Sequence, residues 1–356
     1  MLLCLTLLAL CLIPRVRTQF PRDCATQESL ANKHCCPTWN DGSKCGNASG
    51  RGYCGPCPGF QDELNHRVED KRLNWPRNFY DEICICNYPY SGPDCGRCMF
   101  NHHGGNCTEK YVVVRREIRD LSCRERVDFI NALNLAKMTM SKSFVILAGG
   151  TMENDTTTYT FKNASIMDCL VASHTLNSKY VLENGTFTLQ DLIHRSSAFC
   201  TWHRYYILSL EQELQELSFN PQISMPYWDW TKDNHTCGIC KDDLVGAINL
   251  DGSLSPYSIF SNWKVACSDS DVYSFCIEDE NECEIPRLFR EPGVNAPHLP
   301  TTNDVKELMK WRLYDTPPYN SESNMSFRNC LEGEAATGHL EATQQTPTTP
   351  PRGSPQ

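Results

Sequence analysis

The sequence predicts a mainly α protein, part of a helical bundle, preceded by a small disulfide-rich subdomain. Apolar residues recur at helical spacing in several stretches after about Glu109. Cysteines crowd the part before it, where such periodicity is poor and Gly, Pro and Asn are frequent. A chain of 356 residues with 40% hydrophobic content can bury one large core beside a small one.

Residues 1–18 open the chain with the apolar run Leu2-Leu3-Cys4-Leu5-Thr6-Leu7-Leu8-Ala9-Leu10-Cys11-Leu12-Ile13. This run is too short to span a bilayer and suits a signal peptide, although it lacks the usual basic flank. Of 22 cysteines, Cys4 and Cys11 leave with it, and the remaining 20 are an even number, as oxidised pairing requires. Glycosylation sequons at Asn47, Asn106, Asn154, Asn163, Asn184, Asn234 and Asn324 point the same way, to the secretory pathway. No second apolar run of membrane-spanning length follows, so no membrane anchor is expected. A net charge of −10 without a Lys/Arg cluster argues against a nucleic-acid partner.

Residues 19–108 hold Cys24, Cys35, Cys36, Cys45, Cys54, Cys57, Cys84, Cys86, Cys95, Cys98 and Cys107. They read as a disulfide-stapled, EGF-like subdomain whose connectivity the spacing leaves open, and Cys84-Ile-Cys86 to Cys107 has the cadence of an EGF-like or laminin-like loop. The CxxC pairs Cys95–Cys98 and Cys237–Cys240 could bind zinc or do redox chemistry, but an oxidising compartment favours structural disulfides.

From residue 109 the periodicity turns helical. Phe129, Leu133, Ala136 and Met140 predict a helix over 126–142, and Ile166, Leu170 and His174 predict a second. A third, over 202–217, aligns His203, Ile207, Leu210, Leu214 and Leu217 on one stripe, with Thr201 as N-cap and Asn220-Pro221 as stop. His203 then falls in the first turn, where the positive helix end disfavours imidazolium. His194 lies in the polar connection Ile193-His194-Arg195-Ser196-Ser197, which must fold back over both helices. Each histidine alone could be a hydrogen-bonded core residue. Converging, three neutral imidazoles would bind copper or zinc and leave a coordination position open. The block Tyr227-Trp228-Asp229-Trp230 reads as aromatic packing, with Asp229 a candidate acceptor for the outer N–H of a ligand histidine.

Phe199-Cys200-Thr201-Trp202-His203-Arg204, with His174 and His194 before it and Pro226-Tyr227-Trp228-Asp229-Trp230 after it, resembles the first copper-binding region of the tyrosinase family. The resemblance continues through Phe20-Pro21-Arg22-Asp23-Cys24, His34-Cys35-Cys36-Pro37, Ser49-Gly50-Arg51-Gly52, Val113-Val114-Arg115-Arg116 and Ser326-Phe327-Arg328-Asn329-Cys330-Leu331-Glu332-Gly333. It is to vertebrate-type tyrosinases and tyrosinase-related proteins. It implies a partial type-3 copper helical bundle over residues 109–333, with His174, His194 and His203 as the ligands of the first metal. Thr201 departs from the family's usual proline, and Arg195 and Ser196 from the residues usual after the second ligand, which bears on substrate access.

The family holds a second metal with a His-x-x-x-His pair and a further histidine. After His203 this sequence offers only His235, His298 and His339, none so spaced. Residues 334–356 read as a disordered Thr/Pro-rich tail, and the chain as a truncated or spliced product. The resemblance implies copper, with zinc in related members, and oxidation of phenolic or catecholic small molecules by dioxygen to ortho-quinones in melanin formation. It places that activity in the melanosome lumen, or in a secreted molecule. A non-catalytic, cysteine-rich secreted glycoprotein is the alternative.

Overall fold

The computed structural model describes residues 19–57, 80–149, 156–178, 180–183, 186–191, 193–233, 236–264, 287–290, 299–320, 323 and 326–332. The expected signal peptide, the expected tail, His235, His298, His339 and the sequons at Asn154, Asn184, Asn234 and Asn324 lie outside them. Among the described residues six α-helices occur: α1 Gln27–Asn32, α2 Cys123–Met138, α3 Ile166–Asn177, α4 Phe199–Ser218, α5 Thr302–Leu308 and α6 Phe327–Cys330. Five small sheets accompany them. The architecture of the described residues is therefore helices with small sheets around them rather than mainly α.

Helices α2, α3 and α4 share a core of Phe129, Ile130, Ala132 and Ala136 from α2, Ile166 and Leu170 from α3, and Leu214 from α4. Ile223, Leu254 and Phe260 complete it from later loops. The predicted second helix is met, with Ile166 and Leu170 buried on the face four and eight residues before His174. The first starts earlier and ends earlier than expected. Ser122 accepts from the Glu125 N–H while the Glu125 carboxylate accepts from the Ser122 N–H, a reciprocal cap that starts α2 at Cys123. Its far end yields to an extended segment, because Phe144-Val145-Ile146-Leu147 is an apolar, partly β-branched run that suits a buried strand.

That strand, Phe144–Gly149, pairs antiparallel with Gln19–Pro21 on one side and Thr160–Lys162 on the other. The first described residues are thus stitched into a sheet of the helical region, where Phe20, Val145 and Leu147 pack with Cys24, Leu30, Tyr80 and Tyr159.

In the cysteine-rich part, Glu82–Cys86 runs antiparallel to Gly52–Pro56 and parallel to His34–Cys35. Disulfides join Cys24 to Cys35, Cys36 to Cys54, Cys45 to Cys84, Cys86 to Cys95 and Cys98 to Cys107. Cys95 and Cys98 therefore bond to different partners, whereas Cys237 and Cys240 bond to each other. Full oxidised pairing is not met: Cys123, Cys169 and Cys200 are thiols, and burial pushes Cys169 up to about 12. Of the sequon asparagines described, Asn47, Asn106 and Asn163 are all exposed.

The module docks on α4, the helix of His203. Arg97 reaches Glu213 at 2.6 Å and Glu216 at 2.9 Å. Gln212 donates to the Cys98 carbonyl at 2.6 Å, and Phe100 meets Tyr205 edge to face at 5.6 Å between centroids. No helix among the described residues is long and apolar enough to cross a membrane.

Candidate metal centre

His174 stands in the last turns of α3, His203 in the second turn of α4, and His194 on the loop between them. Helix α4 begins at Phe199, with Ala198 rather than Thr201 at its N-cap. The Thr201 hydroxyl turns inward along the helix and donates to the Ala198 carbonyl at 3.0 Å. His203 is therefore one turn deeper than the first-turn position expected, and the helix end is not what holds its tautomer. At the far end Phe219 takes the left-handed conformation, and Asn220 and Pro221 follow as expected.

The three rings converge. Centroids lie 5.1 Å apart for His174 and His194, 5.5 Å for His174 and His203, and 5.0 Å for His194 and His203. One ligand atom from each lies within 4.8 Å of the others, and all three residues are half-buried.

Acceptors one turn away set the tautomers of two of the rings. His203 Nδ1 lies 2.9 Å from the Phe199 carbonyl one turn back, so this nitrogen carries the proton and Nε2 keeps its lone pair. His174 Nδ1 lies 3.3 Å from the Ser178 hydroxyl, whose own proton goes to the His174 carbonyl at 2.8 Å. The hydroxyl oxygen is then an acceptor, and His174 too is protonated at Nδ1. Metal-bound imidazoles commonly donate their outer N–H in this way. Both acceptors sit four residues from their histidine, Phe199 on the same helix and Ser178 just past the end of α3, a spacing that sequence reading could have found.

Aromatic rings wall the triad. Trp202 and Tyr206 stack at 5.1 Å with 14° between planes, and His174 meets them edge-on at 5.6 and 5.5 Å. Phe199 lies 4.7 Å from His203. Burial pushes the Tyr206 phenol up to about 12, so its hydroxyl stays protonated. Such surroundings restrict ring rotation. Three neutral imidazoles so held fit copper or zinc in donor type and number.

Asp229, the candidate acceptor for a ligand histidine, is engaged with its sequence neighbours. Its carboxylate accepts from the Thr231 hydroxyl at 2.6 Å and lies 3.5 Å from Lys232, at the start of the short turn Trp230–Lys232. The buried carboxylate beside it is Glu117, paired with Arg119 at 2.7 Å, while Trp228 donates to Asp233 at 2.7 Å. Packing holds for Trp228, which lies against Ile118, Leu121, Ile239 and Leu244, but Tyr227 and Trp230 are exposed.

Two further clusters of ligand type among the described residues, His34/Cys36/Cys54 and Cys36/Cys45/Cys84, have their sulfurs in disulfides. Those sulfurs are not thiolates and bind no metal. Residues that sequence reading missed are Ser178 and the group Asp315, Arg328 and Glu332, which meets the His194 loop.

Residues 164–344 match the family model described as the common central domain of tyrosinase, running past Gly333 where the motif resemblance stops. The chain is 36% identical over 346 residues to 5,6-dihydroxyindole-2-carboxylic acid oxidase of Homo sapiens, covering 91% of this chain and 64% of that protein. It is 37% identical over 339 residues to tyrosinase of Oryzias latipes, covering 90% and 62%. With tyrosinase of Canis lupus familiaris the identity is 37% over 361 residues, covering 94% and 67%. The chain thus spans about two thirds of the length of these relatives. With the matched domain containing all three converging histidines, the chain belongs to the tyrosinase family.

Proposed function

We propose that His174, His194 and His203 hold one copper ion, and that the chain serves an oxidoreductase acting with dioxygen on phenolic or catecholic small molecules. The expected products are ortho-quinones used in melanin formation. The carrying observation is the convergence of three half-buried imidazoles with ligand atoms within 4.8 Å of one another. The relatives' names, tyrosinase and 5,6-dihydroxyindole-2-carboxylic acid oxidase, support that chemistry.

Copper, when bound, supplies one-electron exchange with an aromatic ring and with dioxygen. The chain's own residues do the rest. The Phe199 carbonyl and the Ser178 hydroxyl keep protons on the outer nitrogens of His203 and His174. Trp202, Tyr206 and Phe199 restrict the rings and thin the water around them.

The triad supplies ligands for one ion, and no His-x-x-x-His pair occurs between His203 and Gln356. The chain alone should then oxidise catechol negligibly, since the family chemistry uses two metals. Zinc is the second reading of the metal, since three neutral imidazoles suit either ion. A secretory route, with glycans on the exposed Asn47, Asn106 and Asn163, is part of the proposal. So is an EGF-like character for the cysteine-rich module, supported by the interleaved bonds Cys36–Cys54 and Cys45–Cys84 followed by Cys86–Cys95.

Metal analysis after reconstitution with copper tests the reading. One equivalent per chain, lost in His203→Ala, is expected. Two equivalents held by histidine, or robust quinone formation that disappears in His174→Ala, would refute the one-ion assignment.

A further inference from the structure

The loop that carries His194 is held from outside the helix pair. Arg195, the next residue, stands at φ 49°, a left-handed conformation that a long side chain adopts only when its surroundings impose it. Its N–H donates to the Glu332 carboxylate at 2.5 Å. Two residues on, the Ser197 hydroxyl donates to Asp315 at 2.7 Å, and the Tyr314 hydroxyl donates to the Ser197 carbonyl at 3.0 Å. One guanidinium gathers both carboxylates: Arg328, wholly buried, lies 2.7 Å from Asp315 and 3.3 Å from Glu332.

A buried ion cluster adds little net stability, because desolvation offsets most of the Coulomb attraction. Here the Arg328 Nε is itself buried without a hydrogen-bond partner, a further cost. Fixed geometry is what the arrangement does provide. The guanidinium fork sets the separation of Asp315 and Glu332, and these hold the Arg195 N–H and the Ser197 hydroxyl on either side of Ser196, in the three residues after His194.

We propose that Arg328, Asp315 and Glu332 form a positioning device that aims the His194 imidazole and thereby sets the affinity of the histidine triad for its metal ion. None of the three is a ligand; each acts through the His194 loop. The proposal rests on the reading of His174, His194 and His203 as a metal site.

Cobalt(II) binding by the full chain tests it, read from the visible absorption of the ion and from competition with a chromophoric chelator. Arg328→Lys keeps the charge but loses the fork, and Ser197→Ala removes one anchor at an exposed hydroxyl without stranding a charge. Both should weaken cobalt binding, Arg328→Lys by about tenfold to a hundredfold, the range for groups that orient a ligand. Both should also shift the absorption bands. In a His194→Ala background the same substitutions should change the residual affinity by less than about twofold, because their route to the metal is gone.

Equal losses in both backgrounds would overturn the proposal, as would unchanged affinity and bands with only a lowered melting temperature. If Arg328→Lys does not fold, Ser197→Ala decides by the same two readouts. A wild-type chain that binds no cobalt through histidine would sink the metal-site reading itself, an outcome separate from a wild-type chain that binds cobalt and variants that match it.

Discussion

Between Cys24 and Cys107 five disulfides hold a region whose longest strands have five residues. The helices that carry His174 and His203 have no disulfide between them, although Cys169 and Cys200 lie on them as thiols. The module has too little apolar area to order itself by burial, so covalent links restrict its unfolded chain instead. The helix pair has a core, and order there comes from packing. The difference suits a metal site: ring direction must be set side chain by side chain, which tight packing and hydrogen bonds do and a crosslink does not.

The largest expected effect separates the two regions outright. Joint replacement Cys45→Ala and Cys84→Ala opens a crosslink spanning 39 residues of sequence. Loop-entropy arguments put the loss at about 4 kcal/mol. Urea melting should show it, while cobalt affinity stays within about threefold of wild type, as expected for sites without shared partners. A collapse of metal binding in step with the module would break the comparison.

Next in size, Leu214→Ala empties a wholly buried position of α4 and should cost about 3 kcal/mol, weakening metal binding as well because the helix positions His203. A denaturant midpoint close to wild type would mean that packing is not what orders the helix pair.

The junction comes third. Arg97→Met leaves Glu213 and Glu216 without their cation and should cost about 2 kcal/mol, less than a fully buried pair because Arg97 retains some solvent. Burial raises the Glu216 pKa and Arg97 opposes that rise. Without Arg97 the folded pKa climbs further, so the deficit is full at neutral pH and shrinks as pH falls through it and the carboxyl takes a proton. A deficit that grows on acidification would contradict this assignment.

The smallest effect is at the start of α2. Ser122→Ala should cost about 1 kcal/mol through the lost cap. Hydrogen bonds from Ser122 and Arg116 hold its partner Glu125 at about 2. A lowered carboxyl contributes stability above the ordinary carboxylate range and loses it as pH falls through the folded value. Glu125→Gln and wild type should therefore differ at neutral pH and converge near pH 2 in thermal melts.

Particular residues show where sequence reading reached and where it stopped. The triad was legible because imidazole is chemically distinctive and because Ile166, Leu170, Leu210 and Leu214 fix which faces of two helices turn inward. Phe144–Gly149 was not recognised as a strand, since a six-residue apolar run carries no periodicity that separates strand from helix. Asp229 shows the limit of local reading, because a carboxylate bonds to whatever donor is nearest. Its donors are Thr231 and Lys232, two and three residues ahead.

The sequence by itself determined the three imidazoles, the helical faces that carry two of them, the oxidised character of the first region and the family. Local spacing and side-chain chemistry settle those, and both are written in order along the chain. Tertiary structure alone decided which cysteines pair, which carboxylates are buried and how the His194 loop is aimed. Those outcomes depend on contacts between residues far apart in sequence, such as Arg195 with Glu332 and Ser197 with Asp315, which no local pattern encodes.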